Sequence, residues 1–169
     1  LAVAPENCLL HAPDMYMEKI VVGPEAKGVI NLEAPIEENI IHVANALGKN
    51  VTDVTVVILD RPRHEQQIAA IRNIGARIKL ITDGDVSPAV ATAIPDSGVD
   101  MVIGIGGAPE GVLAAAALKC VGGDMQARLW PENEQELARA HKMGMSDPRQ
   151  ILTLDDLVKS EDVVFAATG

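Results

Sequence analysis

The chain has 169 residues, of which 48% are hydrophobic and 22% are charged, so it is typical of a folded globular protein and not of a disordered one. Its formal net charge of −10 argues against nucleic acid and anionic membranes as partners, because both are bound through clustered lysine and arginine. Tyr16, Trp130 and Phe165 are the only aromatic residues, so we expect an aliphatic core and no surface for base stacking.

Membrane spans, disulfides and zinc sites have no support in the sequence. No uncharged apolar run approaches the ~18 residues that a membrane-spanning helix needs. The four histidines show no metal-ligand spacing, and we interpret most of them as ordinary surface or half-buried residues. Cys8 and Cys120 form no disulfide framework, so we expect reduced thiols and a cytoplasmic protein. The chain begins at Leu1 and stops directly after an apolar run, which predicts a piece of a longer chain.

The first elements predicted along the chain are a loop and a helix. Residues 23–35 carry glycine and proline breakers, which predict a loop. Apolar residues then recur at helical spacing over residues 36–48, so a helix is predicted there.

Three apolar, β-branched runs predict buried parallel strands, and they cover residues 54–59, 77–81 and 99–103. Each run is followed by polar or glycine residues and then by a helical pattern. Between the first two runs, isoleucines recur at helical spacing over residues 64–75, and a glycine ends the segment. This helix would provide the crossover that parallel strands need.

The glycine-rich segment 104–111 follows the third strand and leads into a helix rich in alanine. Pro109 suits the first helical position, so Glu110 lies in the first turn, beside free backbone N–H groups and the positive end of the helix dipole. That position suits a metal ion, a phosphate group or both, although a capped tight turn explains the segment alone equally well. Pro109 in place of the third glycine excludes a dinucleotide fingerprint, and Val112 after Gly111 excludes a P-loop.

The last part of the chain predicts a strand over residues 125–130, a helix over 132–143, a short helix over 154–159 and a final strand over 163–167. The alternation of strands and helices predicts one α/β domain over residues 1–169, with a mainly parallel sheet.

In such a sheet the carboxyl ends of parallel strands share one edge, and ligands bind in the crevice beyond it. Residues 60–64, 82–85 and 107–110 follow the three predicted strands, so we expect their side chains to converge. Arg61 and Arg63 have forked donors that match phosphate oxygens, and Pro62 stiffens their loop. A surface loop with ordinary ion pairs is the alternative interpretation of these arginines.

The second loop contains two carboxylates separated by one glycine. In an extended stretch Asp83 and Asp85 would point the same way and accept hydrogen bonds from sugar hydroxyls, and Gly84 would let a ligand come close. Asp85 also suits the N-cap of a following helix.

The charge of the crevice predicts its ligands. Asp83, Asp85 and Glu110 would repel a phosphate group unless divalent cations lie between them. Oxygen ligands without cysteine or histidine favour Mg²⁺ or Mn²⁺, and the chemistry expected there is phosphoryl transfer to water. An EF-hand is excluded, because Pro88 and Ile94 stand at its glycine and glutamate positions.

Two other functions are compatible with these residues. Residues 83–87 resemble the aspartyl nucleophile segment of haloacid-dehalogenase-type phosphatases, with Asp83 as the nucleophile, but Ser87 stands where threonine or valine is usual. A non-catalytic α/β module that binds a sugar phosphate is the third interpretation.

Four ordered motifs resemble those of the class II, GlpX-type fructose-1,6-bisphosphatases. They are residues 12–19 (APDMYMEK), 60–64 (DRPRH), 83–86 (DGDV) and 104–111 (GIGGAPEG). The likeness continues through residues 123–126 (GDMQ) to the closing residues 167–169 (ATG), so it covers nearly the whole chain.

The resemblance implies hydrolysis of the 1-phosphate of fructose 1,6-bisphosphate with Mn²⁺ or Mg²⁺ in gluconeogenesis, and of sedoheptulose 1,7-bisphosphate in some members. It also implies a layered α/β sandwich like that of the sugar and inositol phosphatases, and a homo-oligomeric full-length protein. The metal ligand that it implies is Glu110. The substrate contacts that it implies are Tyr16, Arg61, Pro62, Arg63, Asp83, Gly84, Asp85 and Gly107.

Members of this family also carry an N-terminal half with an acidic cluster and an Asp-Pro motif, and nothing in this chain matches that half. The resemblance therefore places the catalytic acids outside these 169 residues. We expect the chain alone to be inactive, although it derives from a phosphatase.

Overall fold

The structure is a computed structural model that describes residues 1–168. Gly169, the last residue of the closing motif, lies outside the described residues. The strands are β1 (Ala2–Val3), β2 (Tyr16–Val22), β3 (Thr55–Leu59), β4 (Arg77–Ile81), β5 (Met101–Gly107), β6 (Asp124–Trp130), β7 (Leu152–Thr153) and β8 (Val164–Phe165). The α-helices are α1 (Ile36–Leu47), α2 (Glu65–Ile74), α3 (Val86–Ala91), α4 (Ala108–Val121), α5 (Glu134–Lys142) and α6 (Leu154–Leu157).

Six strands form one mixed sheet in the order β4-β3-β5-β2-β6-β7, and β1 pairs with β8 separately. Strands β3, β4 and β5 are parallel to one another, as predicted. Strand β2 is antiparallel to both β5 and β6, and β7 is antiparallel to β6. The prediction of an α/β fold is confirmed, whereas the prediction of a mainly parallel sheet is wrong.

The sheet is mixed because β2, which the sequence analysis did not predict, lies near its centre. Glu18 and Lys19 interrupt the apolar pattern of this strand, so its periodicity does not predict a buried strand. Both charges are paired across the fold: Glu18 Oε2 accepts a hydrogen bond from Arg128 Nε at 2.6 Å, and Lys19 Nζ lies 2.5 Å from Asp85 Oδ2. Pairing of this kind allows a central strand to carry charged residues.

Apolar side chains cover both faces of the sheet. On one face, Met17 and Val21 of β2 pack with buried residues of α4, and on the other, Ile20 and Val22 pack with buried residues of α1 and α2. Among the described residues, the buried hydrophobic side chains are aliphatic or methionine, which confirms the prediction of an aliphatic core.

Several boundaries differ from prediction for local reasons. Strand β5 continues through Gly107, because antiparallel pairing with β2 extends to the end of both strands. Helix α5 begins two residues later than predicted, where the side chain of Asn133 accepts a hydrogen bond from Glu136 N at 2.9 Å. A capping box between Thr153 and Asp156 begins α6. No helix among residues 1–168 is long and apolar enough to span a membrane.

Candidate functional site

The crevice begins where β3 and β5 separate. β3 pairs with β5 only at Val56 and Val57, and beyond that point the imidazole of His64 lies between the strands. Its Nδ1 lies 2.7 Å from Leu59 O, and Ile105 N donates a hydrogen bond to its Nε2 at 2.8 Å. Because a backbone N–H can only donate, Nε2 is the acceptor and Nδ1 carries the proton that is donated to Leu59.

His64 is completely buried, which corrects the expectation of a surface or half-buried residue. Burial is the main cause that lowers the pKa of His64 below its usual range. The hydrogen bond to Leu59 acts in the opposite direction, and the positive charges of Arg63 and Arg61 lower the pKa further. A neutral imidazole suits this place, because protonation would turn the Nε2 acceptor into a donor facing the N–H of Ile105.

The two arginines bind backbone carbonyls and so join the ends of neighbouring strands. Arg61 donates to Asp60 O at 2.9 Å and to Thr82 O, directly after β4, at 2.6 Å. Arg63 donates from Nε and Nη2 to Ile105 O in β5, at 3.2 and 2.8 Å. These contacts differ from the ion-paired surface loop that was the alternative interpretation. The ends of β3, β4 and β5 therefore meet at one edge of the sheet.

Tyr16 reaches the same edge from β2. In the antiparallel register Tyr16 lies opposite Gly107 of β5 on one side and Trp130 of β6 on the other. The guanidinium carbon of Arg63 lies 4.5 Å from the centre of the Tyr16 ring, which is a cation–π contact. Tyr16, which the spacing of the sequence alone would not have identified, thus lies beside the loop of residues 60–64.

Asp83 and Asp85 do not point the same way. Gly84 has a positive φ of 78°, so the chain turns between them and is not extended. Asp83 is exposed, and its Oδ1 accepts a hydrogen bond from Gly84 N at 2.8 Å. Asp85 occupies the N-cap position of α3 but makes no capping hydrogen bond, because its buried carboxylate faces Lys19.

Glu110 lies in the first turn of α4, as predicted, and it is exposed. The helix begins at Ala108, so Pro109 is its second residue instead of its first. The Glu110 carboxylate folds back over Gly107, where a Cβ atom would overlap its Oε2. A glycine is therefore needed at position 107 for this arrangement of the carboxylate.

The part of the chain that the structure describes does not fit a complete metal site. Among residues 1–168, no three His, Cys, Asp or Glu side chains lie close enough together to hold a metal ion. Glu110 can supply one oxygen ligand, and the remaining ligands would have to come from other protein. Residues 1–168 therefore do not form a complete metal centre by themselves.

Three cavities lie away from the carboxylates of the crevice. A cavity of about 250 Å³ lies between the sheet and helices α1 and α2, and Glu18, Asn39 and Gln67 contribute to its lining. One of about 560 Å³ is lined in part by Arg128, Trp130 and Arg149. One of about 520 Å³ is formed in part by residues 92–100. Asp83, Asp85 and Glu110 line none of the three.

Sequence reasoning missed four residues at or near this edge: Lys19, His64, Glu18 and Arg128. The available signal for Lys19 and Glu18 was the presence of two charges inside a short apolar run. The signal for His64 was its place directly after the two arginines. Neither signal identifies a partner across the fold, because Asp85, Arg128 and Ile105, which pair with Lys19, Glu18 and His64, are distant in the chain.

Comparison with known proteins identifies relatives of this chain. A fructose-1,6-bisphosphatase class 2 of Haemophilus influenzae is 47% identical over 182 aligned residues, which include the whole of this chain and 54% of the relative. Fructose-1,6-bisphosphatase 1 class 2 of Escherichia coli K12 and the class 2 enzyme of Shigella flexneri are each 46% identical over the same shares. The chain thus spans about half the length of the curated relatives that it matches.

The family described as bacterial fructose-1,6-bisphosphatase, glpX-encoded, matches residues 1–169. Its match covers every segment that forms the crevice. The chain therefore belongs to the family of glpX-encoded bacterial fructose-1,6-bisphosphatases.

Proposed function

We propose that this chain forms the sugar-phosphate side of the active site of a class II fructose-1,6-bisphosphatase. The reaction is hydrolysis of the 1-phosphate of D-fructose 1,6-bisphosphate to fructose 6-phosphate and phosphate. The observation that supports it most is the joining of three strand ends by Arg61 and Arg63, beside the exposed Glu110 at the start of α4. The names of the relatives support the substrate.

Each residue has a role that its position supports. Arg63, over the Tyr16 ring, presents positive charge to a phosphate group, and the Tyr16 ring offers an apolar surface with a hydroxyl at its tip. The exposed carboxylate of Asp83 accepts hydrogen bonds from sugar hydroxyls. Arg61, Pro62, Gly84 and Gly107 shape the loops that approach the ligand, and Asp85 anchors the second loop.

The family implies a divalent metal, and we propose Mn²⁺ or Mg²⁺ as that metal. When bound, such an ion would polarise the phosphoryl group and bound water. Glu110 would be one of its ligands. The other ligands and the catalytic acids would belong to the part of the family's chain that this sequence does not match, so the 169 residues alone would be inactive.

Further proposals follow from membership of the family. The fold is a layered sandwich of the sugar and inositol phosphatase type, residues 1–169 form one α/β domain, and the full-length protein is a cytoplasmic homo-oligomer. The substrate range includes sedoheptulose 1,7-bisphosphate. The low aromatic content and the net charge of −10 support a small-molecule partner over nucleic acid or membrane.

The test is phosphate release from fructose 1,6-bisphosphate with Mn²⁺. The chain is assayed alone and after mixing with a separately produced N-terminal half of a relative. We expect activity only in the mixture. Activity of the pure chain would contradict the division of the site between halves, and proven association of inactive halves would favour the sugar-phosphate-binding module.

The alternative with an Asp83 nucleophile makes a different prediction for the same mixture. A covalent phosphoryl adduct on Asp83, trapped by rapid quenching and located by mass spectrometry, would support it. We expect none, because the family match covers residues 1–169, whereas the likeness to the haloacid-dehalogenase type is confined to residues 83–87.

A further inference from the structure

Lys19 is a buried lysine near the centre of the sheet, and its ammonium group faces the second loop of the crevice. Its side chain is 3% exposed, and Nζ lies 2.5 Å from Oδ2 of Asp85, whose side chain is 10% exposed. Neither atom has a hydrogen-bond partner elsewhere in residues 1–168. The two charged groups therefore depend on each other.

Such a pair is costly to bury, so its presence calls for an explanation beyond stability. Removing one partner leaves an uncompensated buried charge, whereas replacing both with neutral groups is often tolerated. A hydrophobic pair would fill the same space without this cost. The pair is therefore better explained by the groups that it holds in place than by a contribution to stability.

The carboxylate of Asp85 is directed toward Lys19 and away from helix α3. Asp85 stands at the N-cap position of α3, where a carboxylate commonly accepts a backbone hydrogen bond, yet it makes none. Because Lys19 belongs to β2, the ion pair ties residues 82–85 to the middle of the sheet. The exposed Asp83 and the left-handed Gly84 lie in this same short loop.

Gly106 of β5 provides the space in which the pair lies. A Cβ atom at this position would stand 2.5 Å from Asp85 Oδ2 and 3.1 Å from Lys19 Nζ. Any larger residue would push the carboxylate away from its present place. The next residue is Gly107, over which the Glu110 carboxylate folds, so the pair lies beside the proposed metal and substrate contacts.

We propose that Lys19 is a positioning residue for substrate binding. Its ammonium group holds Asp85 against Gly106 and so keeps the 82–85 loop in the geometry that receives the sugar. This inference rests on the proposed function. It assigns Lys19 no contact with the substrate, because the ammonium group is buried behind Asp85.

The experiment is a double-mutant cycle in this chain with Lys19→Met, Asp85→Asn and the combined variant. The exposed Lys79 of β4 provides the matched control, Lys79→Met. Fructose 1,6-bisphosphate affinity is measured by titration calorimetry, and stability is measured by urea unfolding. We expect Lys19→Met to weaken binding by roughly tenfold, because Asp85 loses the group that holds it in place. The same variant should lower the unfolding midpoint, because the Asp85 carboxylate is left buried without a partner.

The combined variant separates positioning from stability. It removes both buried charges, so its unfolding midpoint should recover toward that of the native chain. Its affinity should stay as weak as that of Asp85→Asn alone, because Lys19 acts only through Asp85. If the losses of binding free energy in Lys19→Met and Asp85→Asn add up in the combined variant, Lys19 acts on the ligand independently of Asp85. If the combined variant recovers affinity together with stability, the pair is merely structural. Either result would overturn the proposal.

A second variant and a ligand-free measurement keep the test independent of the proposed function. Gly106→Ala retains both charges but displaces the carboxylate, so it should weaken binding as Lys19→Met does. In the absence of ligand, Lys19→Met and Gly106→Ala should speed amide hydrogen exchange in residues 82–89 by more than in β3, where exchange follows the global stability that urea unfolding measures. If the native chain binds no bisphosphate, the proposed function fails, and the exchange measurement still decides whether Lys19 holds the loop. Exchange in residues 82–89 that does not change, or that rises only as much as exchange in β3, would overturn the positioning role.

Discussion

His64 provides, with one side chain, the hydrogen bonds that a neighbouring strand would otherwise provide. Leu59 O and Ile105 N belong to parallel strands that have separated, and the imidazole joins them with one donor and one acceptor. Gly104 has a φ of 129° and lets the backbone of β5 approach the His64 ring closely, since a Cβ atom at this position would lie 3.1 Å from Nε2. The ring thereby holds open the crevice in which Arg61 and Arg63 lie.

This arrangement predicts acid sensitivity. The pKa of His64 is lowered from 6.5 in the folded chain, so the unfolded chain binds more protons below about pH 6.5. The stabilising contribution of His64 should be complete above that pH and decline as pH falls toward the lowered pKa. His64→Gln should cost about 2 kcal/mol at pH 7.5 through unpaired backbone groups. The difference in the free energy of unfolding between the native chain and His64→Gln should become smaller below pH 6.

Urea unfolding of both proteins between pH 7.5 and pH 5 measures this difference directly. The exposed His42 of α1 provides the control, and His42→Gln should leave the pH dependence unchanged. A difference between native chain and His64→Gln that stays constant across the range would contradict a neutral, buried imidazole.

At the scale of elements, β2 and α4 determine the geometry of the crevice. Helix α4 begins directly where β5 ends, and its buried face consists largely of alanine with Gly111. These small residues let the helix approach β2 closely, because a Cβ at position 111 would lie 2.5 Å from the sulfur of Met17. Met17 is fully buried, so its side chain must repack among tightly packed neighbours to make room.

Gly111→Ala should therefore destabilise the chain, although alanine is the better helix former. Overpacking of this kind costs roughly 1–3 kcal/mol, and calorimetry should record a lower Tm. Adding Met17→Val should recover much of the loss, because the shorter side chain vacates the space. A Tm that rises in Gly111→Ala would mean that α4 and β2 are less tightly packed than described.

At the scale of the whole molecule, the site is one side of a crevice. Arginine, tyrosine and aspartate side chains collect at one edge of the sheet, and Glu110 is the candidate metal ligand that the N-terminus of α4 positions there. The relatives are nearly twice as long as the span that they share with this chain. Substrate recognition and metal binding are thus expected to depend on different parts of a full-length member of the family.

Weak metal binding by the chain alone is the corresponding prediction. Since no three candidate ligands come together in residues 1–168, Mn²⁺ should bind only at millimolar concentrations, as measured by electron paramagnetic resonance. Adding the N-terminal half of a relative should create a tighter site. Glu110→Gln should weaken that site, whereas Glu134→Gln, at an exposed position of α5, should not. Tight Mn²⁺ binding by the pure chain would contradict the division of ligands.

The sequence by itself determined the α/β class, the three parallel strands, helices α1 and α2 and the place of Glu110 in the first turn of α4. These features follow from short-range patterns: apolar runs, helical spacing, and proline and glycine at helix ends. It also led to the family through four motifs. Local patterns predict these features because the conformation of each of these segments is indicated by residues that are close together in the chain.

Only the tertiary structure decided the antiparallel centre of the sheet, the opposite surroundings of Asp83 and Asp85 and the buried His64. The physical reason is that each depends on a partner distant in sequence. Lys19 is acceptable in a central strand only because Asp85 faces it, and His64 is buried only because β3 and β5 leave two backbone groups to satisfy. Charge and hydrogen-bond pairing across the fold cannot be deduced from the periodicity of one segment.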